Sequence, residues 1–368
     1  MRAHEPELIE ALKSSFNYRL LADVFHGTDP VMRDVQLTQW TYKWSLGAEI
    51  KSSGSATVVY QSVEGESLRP VGTKGTLSPF RARLLLSFEV SVGAVVHRIP
   101  MGWARITSTP KAYDVMETVG GVSRVITSVV PIVWQGLEID LRRRGFHFPE
   151  PAGRRCWDEL LRISGFPVAK NVADKPIPAA TVWDAVAGGR LAAVQKLGDL
   201  LGGRVVVTPA GELTVAPSAI SEPVAALHTG PNGTITDLED DIDTESVYTS
   251  VVGLYETEDR QPIISIAQHT VGDLAVGGLF PEYVKYHTSD MVKDQGSADK
   301  ATQAVLEQTI GALTYKVSVQ CIVNPLVEIN DFVRVTGPDR AIVGRITDIS
   351  LSDSPLMNLV LEVGRGVS

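Results

Sequence analysis

Residues 317–363 read VSVQCIVNPLVEINDFVRVTGPDRAIVGRITDISLSDSPLMNLVLEV, and this segment decides the fold. Apolar and polar side chains alternate within it in four runs, at 317–323, 332–336, 342–349 and 357–363. Alternation with a period of two is the pattern of a β-strand buried on one face. Turn sequences separate the runs: Asn324-Pro325, Gly337-Pro338-Asp339 and a polar loop at 350–355. The segment therefore predicts an antiparallel β-meander.

The bulk composition is that of a globular chain. It has 368 residues, of which 44% are hydrophobic, and this is enough for two or three packed units. The longest apolar run, 125–134, is broken by Thr127, Ser128 and Pro131 and is far too short to span a membrane. The opening residues, MRAHEPE, are too acidic and polar for a signal peptide. We therefore expect no membrane span and no export.

The net charge of −9 bears on nucleic acids. A protein that grips phosphates needs a basic face, so the charge argues against one, although DNA could pass through an acidic conduit that does not hold it. The two cysteines, Cys156 and Cys321, are far apart and have no CxxC or Cys/His spacing. We expect buried free thiols there and no zinc site.

The first third of the chain predicts mostly strands. Residues 6–16 have a helical apolar face and predict a short amphipathic helix. Alternating patterns then predict strands at 18–25, 35–43, 55–61, 83–90 and 95–106, and a last strand or pair of strands at 122–134. Gly27-Thr28-Asp29-Pro30 and Ser52-Ser53-Gly54 are expected to be turns.

The middle of the chain changes to helical patterns, at 135–145, 154–164 and 191–201. In the third of these, Leu191, Val194, Leu197 and Leu201 form one stripe. Gly202-Gly203 should end that helix. A hairpin follows at 204–208 and 212–216, and the short link leaves the stripe little choice but to pack on the hairpin.

The last third returns to strands. Alternation predicts them at 247–255, 263–268 and 283–286, before the meander. Between these strands and the meander, 297–313 should be a helix capped by Ser297.

Three of these segments resemble the baseplate hub proteins of tailed bacteriophages. The helix and hairpin, AAVQKLGDLLGG at 192–203 and VVVTPAGELTV at 205–215, resemble a unit that siphophage hubs carry between two barrels. The run NPLVEINDFVRV at 324–335 resembles the lip of the last barrel, with Asn330 where Gly is usual. Asn tolerates the left-handed turn as well. Pro100-Met101-Gly102-Trp103 resembles a strand of the first barrel.

The resemblance implies an α+β, mainly β, fold. Two antiparallel β-barrel domains, 1–128 with an N-terminal helix and 234–368 with one helix, would flank a helix-plus-hairpin domain at 129–233. It also implies a structural virion protein, assembled in the host cytoplasm. A trimeric ring would close the distal end of the tail tube, and DNA and the tape-measure protein would pass through its channel. The implied partners are further copies, the distal tail protein, the tape-measure protein, and fibre or spike proteins.

Two other functions are open: a tail-tip cell-wall hydrolase and a distal-tail adaptor ring. Hubs often carry lytic extensions, but here the chain ends at Ser368, soon after the last predicted strand, so we expect no lytic domain. The helix and hairpin between two barrels favour a hub over an adaptor.

No constellation in the sequence predicts catalysis, a cofactor or a metal. The histidines occur singly, without HExxH or GxSxG patterns: His26, His97, His147, His228, His269 and His287. Gly188-Gly189-Arg190 lacks the surroundings of a phosphate loop and is expected to be a turn. Arg142-Arg143-Arg144 complements a helix end, and contact with DNA or a partner is the lesser alternative.

The remaining clusters also favour structural roles. The densest acidic run lacks the central glycine of a calcium loop and is expected to be a solvated linker or loop: Asp237, Glu239, Asp240, Asp241, Asp243 and Glu245. The tryptophans could form a sugar platform, but their apolar surroundings favour the core: Trp40, Trp44, Trp103, Trp134, Trp157 and Trp183.

Overall fold

The structure of the chain is a computed structural model. It describes residues 1–2, 6–12, 15–219, 221–231, 233–241, 247–257, 259–272, 274–278, 280–289, 292–311 and 315–363. A short helix, α1 (Pro6–Ala11), precedes the first strands. The predicted helix extended to Phe16, but residues 15 and 16 are outside the helix and 13–14 lie outside the described residues.

Seven strands follow α1: β1 (Asn17–His26), β2 (Asp29–Ser45), β3 (Ser52–Gln61), β4 (Ala82–Val92), β5 (Val95–Ser108), β6 (Tyr113–Val119) and β7 (Val122–Gly136). Six of them pair in the order β1-β4-β5-β7-β3-β2, and β1 also pairs with β2. The six strands therefore close into a ring. β6 pairs with β7 alone and forms a hairpin beside the ring.

The ring encloses an apolar interior. Each strand buries alternate apolar side chains, and Trp40, Phe88 and Trp134 are among those fully enclosed. The expected turn at 52–54 is wrong, because β3 already begins at Ser52. A Cβ on Gly54 would lie 2.4 Å from the Trp134 ring, so this glycine is needed for close packing within the sheet rather than for a turn. Strand β6 was not predicted from the sequence.

The middle of the chain forms a small unit with its own core. Its elements are α2 (Glu138–Arg143), β8 (Glu150–Pro151), α3 (Cys156–Ser164), β9 (Val182–Trp183), α4 (Gly189–Leu201), β10 (Gly203–Val207) and β11 (Leu213–Pro217). The helix expected from 135 begins only at 138, because β7 continues to Gly136. The predicted stripe of α4 is buried against the β10–β11 hairpin, and Leu197 is fully buried. This packing prediction is confirmed.

The last part contains the predicted meander and one α/β unit. Its elements are β12 (Ala225–His228), β13 (Ile235–Asp241), β14 (Ser250–Glu256), β15 (Pro262–Gln268), β16 (Val284–Thr288), α5 (Gln295–Gly311), β17 (Tyr315–Ile322), β18 (Phe332–Thr336), β19 (Ala341–Ser352) and β20 (Leu356–Val363). Strands β18, β19, β20 and β17 pair antiparallel in that order. The loop expected at 350–355 is shorter, because β19 continues to Ser352.

The expectation of two separate barrels is not confirmed. Residues 41–45 of β2 pair with 348–352 of β19, so the ring and the meander belong to one 13-stranded sheet. β12 adds to β18 and β13 adds to β17, but no pairing between described strands closes the meander into a second ring. β2 has 17 residues, and this length lets it serve both the ring and the meander.

A smaller, three-stranded sheet is separate from this 13-stranded sheet. β15, β14 and β16 pair in that order, with β16 parallel to β14, and α5 packs on one face. The predicted cap of α5 is wrong. Asp294 caps the helix instead, because its carboxylate accepts hydrogen bonds from the backbone N–H and the hydroxyl of Ser297, at 2.9 and 2.7 Å.

Candidate functional site and interaction surfaces

The acidic run lies mainly in a strand, which corrects the expected linker or loop. Asp237 to Asp241 belong to β13, which pairs with β17 and stands at one end of the sheet path. Asp240 forms an ion pair with Arg340. Charged side chains on an edge strand discourage pairing with other chains, so the run protects this edge. Asp243 and Glu245 lie outside the described residues.

The cysteines and histidines are dispersed through the fold. Cys156 and Cys321 are buried free thiols, as expected. Burial raises the pKa of both, to about 12 for Cys321, so neither is a ready nucleophile. His26 is bonded to the Thr76 carbonyl, and His287 packs edge-on against Tyr255. In the part of the chain that is described, no group of three His, Cys, Asp or Glu side chains could hold a metal ion.

The glycine–arginine segment at the start of α4 stabilises the middle unit. Gly188 has the left-handed conformation that precedes the helix. The Arg190 guanidinium donates to the carbonyls of Gly145 and Ile163, at 3.1 and 2.7 Å, and lies over the Phe146 ring. These bonds satisfy a carbonyl at the end of α3 and engage the guanidinium in the fold. The turn expected at 188–190 is present only at Gly188, because α4 already begins at Gly189.

The other basic and aromatic candidates also fit structural roles. Arg142 forms an ion pair with Glu49 at 3.6 Å, which joins the end of α2 to the loop after β2. Five tryptophans are buried, as the core interpretation required. The sixth, Trp103, lies half-buried on the outside of the ring, where the hairpin turn at Gly211 packs against its indole.

An open pocket of about 480 Å³ lies where the three parts of the chain meet. Its lining comes from the ring, the β10–β11 turn and the start of the meander: Met1, Arg2, Leu85, Pro100, Trp103, Thr208, Pro209, Ala210, Glu212 and Glu328. Arg2 is buried beside it, donates to the carbonyls of Pro325 and Val327, and lies over Trp44. These contacts of Arg2 join the ring to the meander, so the pocket lies at a structural junction between the two.

Two surfaces expose apolar side chains in groups. The first, here called the outer face, is the side of the β15–β14–β16 sheet away from α5 and consists of Val252, Leu254, Ile264, Ile266, Val284 and Tyr286. Ile264, Ile266 and Tyr286 are 59%, 65% and 69% exposed. The register places Val252 between Ile266 and Tyr286, and Leu254 beside Ile264, so the side chains are contiguous.

The second surface, here called the hairpin patch, consists of Val59 on β3, Tyr113 and Val115 on β6, and Val122 and Ile126 on β7. Val59 and Tyr113 both lie opposite Val129 of β7. A bulge in β7 puts Ile126 on the surface as well. Arg124 pairs with Glu117 near the tip, at 3.8 Å.

Neither surface was predicted from the sequence. A signal for the outer face was present in the sequence. Its strands read VVGLY at 251–255 and IISIA at 263–267, so almost every position on both faces of each strand is apolar. Such continuous apolar runs are typical of strands covered on both faces. No comparable signal marked the hairpin patch, because β6 was not predicted.

The chain is similar to solved structures over nearly its whole length. A tail protein from Neisseria meningitidis MC58 aligns with 95% of this chain and 97% of its own, with a TM-score of 0.62 and 13% identity. The 43 kDa tail protein of prophage MuSo2 from Shewanella oneidensis aligns with 93% of this chain and 98% of its own, with a TM-score of 0.59 and 12% identity.

A chain of the Francisella PdpA-VgrG complex aligns with 97% of this chain and 60% of its own, with a TM-score of 0.53 and 9% identity. No protein-family model matches the chain, and no curated protein matches it in sequence. The chain therefore has the fold of phage tail proteins. The resemblance seen in its sequence is confirmed at the level of the fold.

Proposed function

We propose that the chain is a structural protein of a phage tail tip, a baseplate hub located in the virion. The full-length likeness to two tail proteins carries this proposal, because the likeness includes the ring, the middle unit and the meander together. The motifs at 192–215 and 324–335 support it independently, because they resemble hub sequences whatever the fold of the chain.

The hub would be a trimeric ring that closes the distal end of the tail tube. Its channel would let DNA and the tape-measure protein pass without specific binding, and the acidic balance of the chain suits a conduit that does not retain DNA. This proposal includes a division of the chain into three parts, after residues 128 and 233, and a second, separate barrel in the last part. It also includes contacts with the distal tail protein and with fibre or spike proteins, and assembly in the host cytoplasm.

We propose a structural rather than a hydrolytic role. Two buried carboxylates that a catalytic site could recruit are engaged in the fold: Asp140 with Arg83 and Arg105, and Glu159 with Arg162 and Trp183. Burial would raise the pKa of Glu159, but hydrogen bonds from Arg162 and Trp183 lower it, so its carboxylate suits an ion pair better than a general acid. No helix among the described residues is long and apolar enough to cross a membrane.

Gold-labelled antibodies to the chain, applied to tails from the producing phage or prophage, test the proposed location. We expect label at the distal tip, and no label on tails made after deletion of the gene. Label along the whole tube, or none on intact tails, would remove the tail-tip function. Zymography on host cell walls tests the rival hydrolase: a cleared band that a single Asp or Glu substitution abolishes would favour it over the structural role.

A further inference from the structure

The β15–β14–β16 sheet has two apolar faces and only one covering layer. On the inner face, the Ser265 hydroxyl donates to Asp299 at 2.7 Å, and the Tyr255 hydroxyl lies 3.0 Å from that of Thr302, so α5 is closely fitted. On the outer face, Ile264, Ile266 and Tyr286 are exposed over more than half of their surface. A sheet with a parallel strand pair and apolar runs on both sides normally has both faces covered.

The exposed apolar side chains of the outer face are adjacent to one another, unlike those of an ordinary protein surface. Single exposed apolar residues are common, but six adjacent ones on one flat sheet form a patch of the kind that marks protein contacts. Eleven positions make up this side of the three strands, and none of them is basic. Its only charged strand residue is Glu256, at one end of β14.

We propose that the outer face is a contact between copies of this chain, and that the hairpin patch of the next copy covers it. This inference rests on the trimer of the proposed function and specifies how its subunits meet. A ring of three copies needs a heterologous contact, in which two different surfaces of each copy are used. The hairpin patch supplies the second surface, since Val59, Tyr113 and Val115 are exposed near one another on β3 and β6.

The charges at the rims of the two surfaces are complementary at one end. Carboxylates flank the outer face at both ends: Glu256 ends β14, and Glu282 accepts hydrogen bonds from Ser250 and Gln268 at the other end. Lys111 lies before β6 at one end of the hairpin patch, and near the tip Arg124 is paired with Glu117. Opposite charges at the rim of an apolar contact select the partner and its register.

The lengths of the two surfaces also agree, since β14 (Ser250–Glu256) and β6 (Tyr113–Val119) each have seven residues. At a rise of about 3.3 Å per residue, each strand is roughly 20 Å long. One strand of the hairpin can therefore lie along the whole length of the outer face.

Mass photometry of three purified full-length chains tests the contact. We expect the wild type to be a trimer and Ile266→Glu to need at least a tenfold higher concentration for assembly, because the new carboxylate would lose its hydration in an apolar contact whose rim already carries Glu256 and Glu282. The matched control, Val271→Glu, puts the same charge in the exposed loop after β15 and should assemble as the wild type does. Since Ile266 is exposed, thermal melting should show that its variant stays folded.

Cross-linking then tests the pairing of the two surfaces. A short bismaleimide should link Ile266→Cys/Val115→Cys into dimers and trimers, while each single variant stays unlinked, because a heterologous contact keeps equivalent residues apart. The native thiols, Cys156 and Cys321, are buried and should not react. Cross-links in a single variant would show that equivalent surfaces of two copies meet face to face, and this would overturn the inference.

A trimer that Ile266→Glu leaves intact would also overturn the inference, and so would a wild type that stays monomeric at micromolar concentration. Neither outcome bears on where gold label falls on the tail, so the tail-tip function is judged separately. If the label is absent while the outer-face contact is intact, the tail-tip function is rejected and the inferred contact between copies still holds.

Discussion

At the scale of single residues, buried charged groups connect parts of the chain that are distant in sequence. Asp140 of α2 is held by Arg105, with 2.6 Å between Oδ1 and Nε, and by Arg83, so the middle unit is fixed to β4 and β5. Arg2 lies over Trp44 of β2 and donates to the carbonyls of Pro325 and Val327, so it connects the first strands to the meander. Because one-sided loss of a buried ion pair leaves an uncompensated charge, such groups make the parts act as one body.

Glu138 is a buried carboxylate with a testable pH dependence. It lies at the start of α2 beside Gly136 and Ser52, and its Oε2 has no hydrogen-bond partner among the described residues. Burial raises its pKa from 4.5 to about 6. Since the folded chain binds this proton more tightly than the unfolded chain does, the stabilisation is present below pH 4.5 and is lost as the pH rises through about 6.

The expected size of the effect is about 2 kcal/mol, from about 1.4 kcal/mol for each pH unit. In Glu138→Gln the difference in the free energy of unfolding between pH 4.5 and pH 7 should shrink by that amount. Denaturant unfolding at the two pH values measures it. Glu64→Gln, which removes an exposed carboxylate, is the control and should change with pH as the wild type does. Identical pH dependence in all three chains would show that Glu138 does not titrate as described.

At the scale of elements, the α4–hairpin unit illustrates how local sequence sets packing. Gly198 lets α4 approach the hairpin, since a Cβ there would lie 2.9 Å from Val205. Gly202 ends the helix in the left-handed conformation, and Gly211 turns the hairpin. Leu197 then lies against β10 and β11 in the core of the middle unit.

Leu197→Asp should destabilise this unit by on the order of 3 kcal/mol, because it places a carboxylate in a closed apolar contact. Thermal melting should show a fall of several degrees. Lys196→Asp, one residue away on the exposed side of α4, should melt within about a degree of the wild type. If both variants melt with the wild type, α4 is not docked on the hairpin.

How far the sequence predicts these elements depends on the range of the interactions that fix them. Asn330 was expected in a left-handed turn, and its φ is 71°, because turn chemistry is local. The strands of the meander followed from alternation for the same reason. The turn at 52–54 was wrong because Trp134, more than 70 residues away, determines what Gly54 does. The acidic strand β13 escaped prediction because its pairing with β17 outweighs its poor strand composition.

At the scale of the whole molecule, one sheet unites parts that the sequence divided. Pairing of β2 with β19 joins the ring and the meander, and no local pattern could have predicted this contact between residues 300 positions apart. The candidate contact surfaces were missed for a similar reason. A strand that is apolar on both sides predicts a covering layer, but only the fold shows that α5 supplies one layer and leaves the other face open.

The whole-molecule proposal of a tail-tip hub requires a ring of three copies around an opening. Image classification of the purified full-length chain by electron microscopy tests this most directly. The account predicts particles with threefold symmetry and a central channel. Particles that are only monomers, alone and with co-expressed tail-tip proteins, would contradict it.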